Sequence, residues 1–257
     1  MSALLDIAIK AIKAGSEVAL RHYSGRVRAR VKADGSPVTA ADLGAERVIR
    51  ELIAKQFPGH DFYGEEYGRT NKQSEYCWLI DPIDGTKNFV DRIPLWGTLI
   101  ALMKGGELIL GVSHVPLMNE LLWAERGKGA YLNGRRVRVS QVSQLSRGMI
   151  SYGSLPAFKE RRKQTALLKL IGSCRRQRSF GDLWPYHLLA SGRLDIVIEA
   201  AIKPVDVAPF AIIVAEAGGM TSDIFGRPFS LEIDSFLATN GKLYREVLRY
   251  FTKWPRL

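Results

Sequence analysis

Trp78-Leu79-Ile80-Asp81-Pro82-Ile83-Asp84-Gly85-Thr86-Lys87-Asn88-Phe89 is the stretch on which the fold turns. It extends the apolar run Cys77-Trp78-Leu79-Ile80, of a length that suits a buried strand, and leads that run into two aspartates. Such a strand carries the chain to a sheet edge, where Asp81 and Asp84 emerge together on one loop. Pro82 stiffens the loop, and Gly85 lets backbone approach a ligand closely. A helix beginning near Thr86 would aim its free N–H groups at the same place, which suits a phosphate oxygen. Two carboxylates this close repel, so each either takes up a proton or needs a cation. A hard divalent ion with oxygen ligands, magnesium above all, answers that need beside a phosphate. The same residues also read as an ordinary turn at Asp81 and a helix cap at Asp84, and the stretch alone does not choose.

Upstream, Gly64-Glu65-Glu66-Tyr67-Gly68 places a carboxylate pair at a glycine-flanked turn just before this strand. Glu66 there reads as a solvated carboxylate or one that supports its neighbours. Further upstream, Thr39 can cap a helix bearing Asp42, Val48, Ile49, Leu52 and Ile53. Residues 33–37 form a loop by their turn chemistry, 26–32 alternate as a strand does, and 3–22 suit an amphipathic helix. Downstream, 98–103, 108–114 and 121–124 read as three strands of an antiparallel meander. Helices are expected at 159–170, 182–191, 207–217 and 243–251, with strands at 194–199 and 236–239. Asp206 opens the third of these helices and could be only its cap, just as Asp42 could be a surface charge. Sheets and helices in layers follow, without strict β-α alternation, which is an α+β class.

The 257 residues allow one large domain or two lobes sharing a core. Asp6, Lys10 and Lys13 interrupt the N-terminal apolar positions, so no membrane span or signal peptide is expected there. Two cysteines, Cys77 and Cys174, form no disulfide framework, and Cys77 reads as buried packing. That accords with a reducing, cytoplasmic setting. The histidines (His22, His60, His114, His187) show no zinc-type pairing. A formal charge of +11 is spread over short basic runs at 26–30, 135–138, 159–163 and 175–178. These read as solvated surface, as steering of an anionic substrate, or as a polyanion footprint. The scarcity of aromatics among them speaks against nucleic acid.

Taken together, Gly64-Glu65-Glu66, Asp81-Pro82-Ile83-Asp84-Gly85-Thr86 and Asp206 followed by Ala215-Glu216-Ala217-Gly218-Gly219 resemble the inositol monophosphatase family. Lys32-Ala33-Asp34-Gly35-Ser36-Pro37-Val38-Thr39-Ala40-Ala41-Asp42 looks like its N-terminal signature, and the motifs run in family order over nearly the whole chain. The resemblance places the chain in a group known as lithium-sensitive phosphatases and implies a magnesium-dependent phosphomonoesterase of layered α-β-α-β-α architecture. It implies one phosphatase domain over 1–257, with an α+β half near 1–140 and an α/β half near 141–257, and a homodimer. It further implies a first Mg2+ held by Glu65, Asp81 and the Ile83 carbonyl, and a second held by Asp81, Asp84 and Asp206. A third, looser ion would sit by Glu65. Asp42, Thr86 and Glu65 become the catalytic residues, with Asp42 and Thr86 orienting and deprotonating the water. Gly85 and Thr86 offer N–H groups to the phosphate. The expected chemistry is direct attack by metal-activated water, with no phosphoenzyme.

The stretch also superficially resembles the haloacid-dehalogenase phosphatases, which pass through an aspartyl-phosphate. Those space their aspartates two apart, whereas Asp81 and Asp84 are three apart, and Gly64-Glu65-Glu66 has no part in that chemistry. Asp182, in the Gly181-Asp182-Leu183-Trp184 turn, and Glu199, seven residues before Asp206, fall where the family contacts the organic part of its substrate. Each also reads more plainly, as a cap and a strand-end charge. Lys87, Pro94-Leu95-Trp96-Gly97-Thr98 and Ser179-Phe180-Gly181-Asp182 look more like the histidinol-phosphate phosphatase branch. Histidinol phosphate is thus the favoured substrate, ahead of inositol-1-phosphate and other sugar or nucleotide phosphates. Val205 stands where the family usually has tryptophan, which leaves Asp206 intact but alters the pocket. A reading of another class, a polyanion binder on a retired phosphatase scaffold, leaves the clustered acids without a purpose.

Overall fold

The N-terminal apolar positions do form a helix. In the computed structural model, which describes residues 2–25, 27, 29–32, 35 and 37–252, α1 spans Ala3–Ser24 and is capped by Ser2, whose hydroxyl accepts from Leu5 N at 3.2 Å. Two short strands follow, β1 (Ala29–Val31) and β2 (Pro37–Thr39), paired antiparallel. Arg26 and Arg28 of the expected first strand, and Ala33, Asp34 and Ser36 of the expected loop, lie outside the described residues. Thr39 then caps α2 (Ala40–Gln56).

The next strands are β3 (Asp61–Gly64), β4 (Gly68–Arg69) and β5 (Tyr76–Asp84), followed by the short helix α3 (Thr86–Val90). The expected meander is present as β6 (Gly97–Lys104), β7 (Glu107–Val115) and β8 (Glu120–Glu125), continued by β9 (Ala130–Leu132) and β10 (Arg135–Val137). These eight strands make one sheet in the order β10-β9-β8-β7-β6-β5-β3-β4, in which only β3 and β5 pair in parallel.

The C-terminal part contributes β11 (Met149–Tyr152), α4 (Leu155–Glu160), α5 (Gln164–Ser173), β12 (Arg176–Arg178), α6 (Trp184–Ala190) and β13 (Ile196–Ala200). It continues with α7 (Pro204–Glu216), β14 (Met220–Ser222), β15 (Ser235–Thr239) and α8 (Tyr244–Thr252). Its five strands order as β12-β11-β13-β15-β14. Two expectations are corrected. The single helix over 159–170 is two helices, because Arg162 takes a left-handed turn (φ 54°) between α4 and α5. The helix expected from Asp182 begins at Trp184, since Asp182 is itself left-handed (φ 50°) and Pro185 sits in the first turn, where a missing N–H costs nothing.

Four apolar interfaces join five structural layers. Leu5, Ile12, Ile49 and Ile53 of α1 and α2 cover one face of the large sheet through Trp78, Ile80, Ile100 and Val112. Its other face, through Leu79, Leu99 and Ala101, meets Tyr186, Phe210 and Ile213 of α6 and α7. Those helices also bury Val197, Phe236 and Ala238 of the second sheet. The far face of that sheet, Ile150, Ile196, Ile198 and Leu237, packs on α4, α5 and α8 through Phe158, Leu167, Val247 and Phe251. Lying between two sheets, α7 is apolar almost all round, as a helix without a water-facing side must be. The order α-β-α-β-α agrees with the expectation, and each buried Leu, Ile or Phe contributes ~1.5–3 kcal/mol. Among the described residues no helix is long and apolar enough to cross a membrane. Cys77 is half-buried rather than buried, and burial pushes its thiol and that of Cys174 up to about 11.

Candidate active site

The two aspartates do not leave the sheet on a loop, as expected; β5 runs through both of them. Its register with β6 goes from Tyr76↔Lys104 to Asp81↔Leu99 and then jumps to Asp84↔Gly97, so β5 carries one residue more than its partner. This bulge turns the strand end. Asp81 is buried, and its Oδ1 accepts from Ile83 N at 3.0 Å. Gly85 follows in left-handed backbone (φ 84°), and a Cβ there would stand 2.9 Å from Leu95 O and 3.3 Å from Asp182 Oδ2. Both the turn and the contact therefore require glycine.

Thr86 opens α3. Its hydroxyl lies 2.9 Å from Ile83 O and 3.4 Å from Asp42 Oδ1, so its one proton has two acceptors within reach. Asp42 is no surface charge: it is fully buried and forms the capping box of α2, Oδ2 accepting from Thr39 N at 2.7 Å and Thr39 Oγ1 at 2.6 Å. Burial pushes its carboxyl above the ordinary range against these two bonds.

The Gly64-Glu65-Glu66 turn lies alongside, Glu65 N donating to Ile80 O at 3.0 Å. Glu65 Oε1 accepts from Lys32 Nζ at 3.1 Å and Lys203 Nζ at 3.0 Å. Burial works to raise this carboxyl, but the ammonium groups of Lys203 and Lys32 outweigh it and hold it low. Glu66, expected as a solvated or supporting acid, is largely covered and takes Lys32 Nζ at 2.5 Å. Beneath the turn Glu46, fully buried, receives Glu66 N at 2.7 Å and Arg50 Nε at 2.7 Å, and any Cβ at Gly64 would overlap its carboxylate.

Asp206 lies in the first turn of α7, its Oδ2 accepting from Lys203 N at 2.8 Å, and burial lifts it to about 7. Asp81 and Asp84 are pushed well above the carboxylate range by burial and by their acidic neighbours: Glu65, Asp84 and Asp206 act on Asp81, and Asp182, Asp206, Glu199 and Glu65 on Asp84. Asp182 is raised to about 6 by burial with Lys87 opposing, and Glu199 to about 8 by burial. Glu199 Oε2 accepts from Tyr186 OH at 2.8 Å. Asp182 lines three adjoining recesses, which makes them one cleft: about 240 Å³ over Glu65, Asp81 and Asp84, about 150 Å³ between Asp84, Asp206 and Glu199, and about 430 Å³ beside Tyr152, Ser154, Ser179 and Phe180.

The expected site residues therefore border or underlie one cleft: Asp81, Ile83, Asp84, Gly85, Thr86, Glu65 and Asp206 at its acidic end, Asp42 beneath Thr86, and Asp182 and Glu199 towards the wide recess. As the side chains stand, no group of three or more His, Cys, Asp or Glu among the described residues takes up the arrangement a metal ion needs; Glu65 is engaged by the two lysines instead. Glu46, Asn88 and Tyr186 escaped the sequence reading. Only Glu46 carried a local signal, its i,i+4 spacing from Arg50.

A profile of the inositol monophosphatase family matches residues 1–254. The chain belongs to this family. A histidinol-phosphatase of Streptomyces coelicolor is 36% identical over 236 residues, covering 88% of each chain. A fructose-1,6-bisphosphatase/inositol-1-monophosphatase of Thermotoga maritima is 34% identical over 252 residues, 95% of this chain and 94% of that one. The crystal structure of the extragenic suppressor protein suhB from Bartonella henselae superposes with a TM-score of 0.90 at 30% identity, over 99% of this chain and 100% of that one. This member is a phosphatase, and its family is generally metal-dependent. The donor set suits such an ion: buried carboxylates that raise one another are relieved by a hard cation with oxygen ligands.

Proposed function

We propose that this phosphatase is magnesium-dependent and hydrolyses the phosphate monoester of a small aminoalcohol, histidinol phosphate before inositol-1-phosphate or other sugar and nucleotide phosphates. The observation that carries the substrate class is the shared recess: Glu199 and Asp182 line the same pocket as Asp84 and Asp206. An ester whose phosphate lies at the acidic end can thus bring an ammonium group against two carboxylates. Both are raised by burial, and a cation beside them favours their charged forms.

Glu65, Asp81 and the Ile83 carbonyl would hold one magnesium ion, and Asp81, Asp84 and Asp206 a second, with a looser third beside Glu65. Bound there, magnesium supplies positive charge to the phosphoryl oxygens and acidifies water. The chain does the rest. Gly85 and Thr86 offer backbone N–H groups to the phosphate. Thr86 Oγ1, set between Ile83 O and Asp42 Oδ1, orients the attacking water, and Asp42 takes its proton. Asp42 Oδ2 is held by Thr39, which leaves Oδ1 facing Thr86. No side chain attacks phosphorus, so no phosphoenzyme forms. The protein acts as one domain, as a cytoplasmic homodimer.

The test is phosphate release from histidinol phosphate, inositol-1-phosphate, fructose bisphosphate and adenosine bisphosphate, with magnesium and with chelator. Magnesium-dependent preference for histidinol phosphate is expected. Release led by another ester overturns the substrate, and release unaffected by chelator overturns the metal.

A further inference from the structure

We propose that Thr98 is a positioning residue for this phosphatase: its hydroxyl, backed by Ser16 and His114, fixes the β5 bulge that delivers Asp81, Ile83 and Asp84 to the cleft and so sets the affinity of the site for magnesium. The inference rests on the function proposed above for its magnesium, but not for the geometry of the bulge.

The extra residue in β5 breaks the β5–β6 ladder between Asp81↔Leu99 and Asp84↔Gly97. Pro82 falls in this gap. It has no N–H to give, and bulges are among the few places where a sheet tolerates proline. Its carbonyl is taken by a side chain: Thr98 Oγ1 donates to Pro82 O at 2.9 Å. Ser16 Oγ, from α1, donates to Thr98 Oγ1 at 3.0 Å, and His114 Nδ1 lies 2.8 Å from Ser16 Oγ. Thr98 and His114 are cross-strand partners on β6 and β7, so both sit on the face that α1 covers.

Proton counting gives this chain one direction. A carbonyl only accepts, so the single proton of Thr98 is committed to Pro82. Thr98 Oγ1 then accepts the single proton of Ser16, and Ser16 Oγ accepts from Nδ1–H of neutral His114. Thr98 is 0% exposed and Ser16 1%, so neither hydroxyl can turn to water instead. Removing the Thr98 hydroxyl orphans a buried carbonyl midway between two carboxylates whose spacing decides whether they share a cation. Residues of α1, β6 and β7 thus act on one backbone oxygen through a chain whose last link is Thr98.

A control lies next door. Ser113, the residue before His114, faces the other side of the sheet, where its hydroxyl meets His187 Nε2 at 2.8 Å. It is equally buried but does not touch the bulge. The experiment compares wild type, Thr98→Val, Thr98→Ser, Ser16→Ala and Ser113→Ala. Amide hydrogen exchange of residues 81–86 is read in metal-free protein, and magnesium binding is read by titration calorimetry. Val keeps the branched shape of Thr and suits a strand, so the fold is expected to hold, and Ser16→Ala supplies a milder break. Thr98→Val is expected to speed exchange across 81–86 by ~10-fold and weaken magnesium binding by ~10-fold, the effect of losing one buried hydrogen bond. Ser16→Ala shifts both in the same direction, Thr98→Ser restores both, and Ser113→Ala changes neither. Exchange and affinity in Thr98→Val that match Ser113→Ala overturn the inference. Wild type that binds no magnesium overturns the proposed function, while exchange in the same samples still decides the role of Thr98 at the bulge.

Discussion

Asn88 Nδ2 donates to Asp182 Oδ2 at 2.7 Å, joining residues 94 positions apart. The same amide donates to Leu95 O at 2.8 Å, so both of its hydrogens are spoken for. α3 is thereby tied to the left-handed turn at Asp182, and the acidic end of the cleft to its wide recess. Asn88→Ala should free Asp182 to turn. KM for an amine-bearing phosphate ester is expected to rise ~10-fold, the cost of a hydrogen bond to a charged group, with kcat within ~3-fold of wild type. Steady-state kinetics check this split; a fall in kcat with unchanged KM contradicts it.

Asp81 faces three acids in a buried setting. Asp81→Asn keeps an acceptor for Ile83 N and removes the repulsion. The metal-free variant is expected to melt ~2–4 °C above wild type, which corresponds to ~1 kcal/mol in a chain of this size. A neutral amide cannot balance two cations, so magnesium-dependent turnover should fall by ~1000-fold or more. Melting curves and phosphate release, run on the same samples, read both effects. Near-native activity would exclude a bridging role.

Glu199 is buried, held by Tyr186 OH and raised to about 8. Glu199→Gln preserves an oxygen for Tyr186 and deletes the charge. If Glu199 meets an ammonium group, kcat/KM for histidinol phosphate drops ~10–100-fold, the range for a charge-assisted hydrogen bond, while inositol-1-phosphate changes by less than ~3-fold. Equal losses on both esters would point to a general role in shaping the cleft.

His114 is held neutral, its imidazole lowered from 6.5 to about 4 by burial, with Lys13 and His187 adding to the effect. Because the folded pKa lies below the unfolded one, the unfolded chain takes a proton that the folded protein refuses. Stability from this group is complete above pH 6.5 and is lost as pH falls from there towards 4. Linkage puts the loss at ~2 kcal/mol on going from pH 7.5 to pH 5. His114→Asn keeps a donor for Ser16 and cannot titrate. Urea unfolding at the two pH values should show wild type losing ~2 kcal/mol more than His114→Asn; equal losses contradict the assignment.

The sequence by itself determined what is local. The apolar run from Cys77 predicts β5 and aims Asp81 and Asp84 at a common place. Thr39 announces α2, while apolar runs separated by turn residues from Thr98 to Ala124 give the meander; the capping box that Asp42 completes is seen only in the structure. Motif order was enough to name a family that the profile match then established. Tertiary structure decided whatever depends on partners far along the chain. β9, β10, β12 and β14 are strands of three residues at or near sheet edges, too short for an alternating pattern, and exist only because a neighbour pairs with them. The bulge between Asp81 and Asp84 is a mismatch between two strands and is written in neither. Glu46 under the Glu65 turn, Asn88 against Asp182, Tyr186 on Glu199 and Thr98 on Pro82 are placed by packing, across 13 to 94 residues. Periodicity and capping act over a few residues, so they report which side chains an element presents. A hydrogen bond between elements needs both to be docked, and the layered core performs that docking.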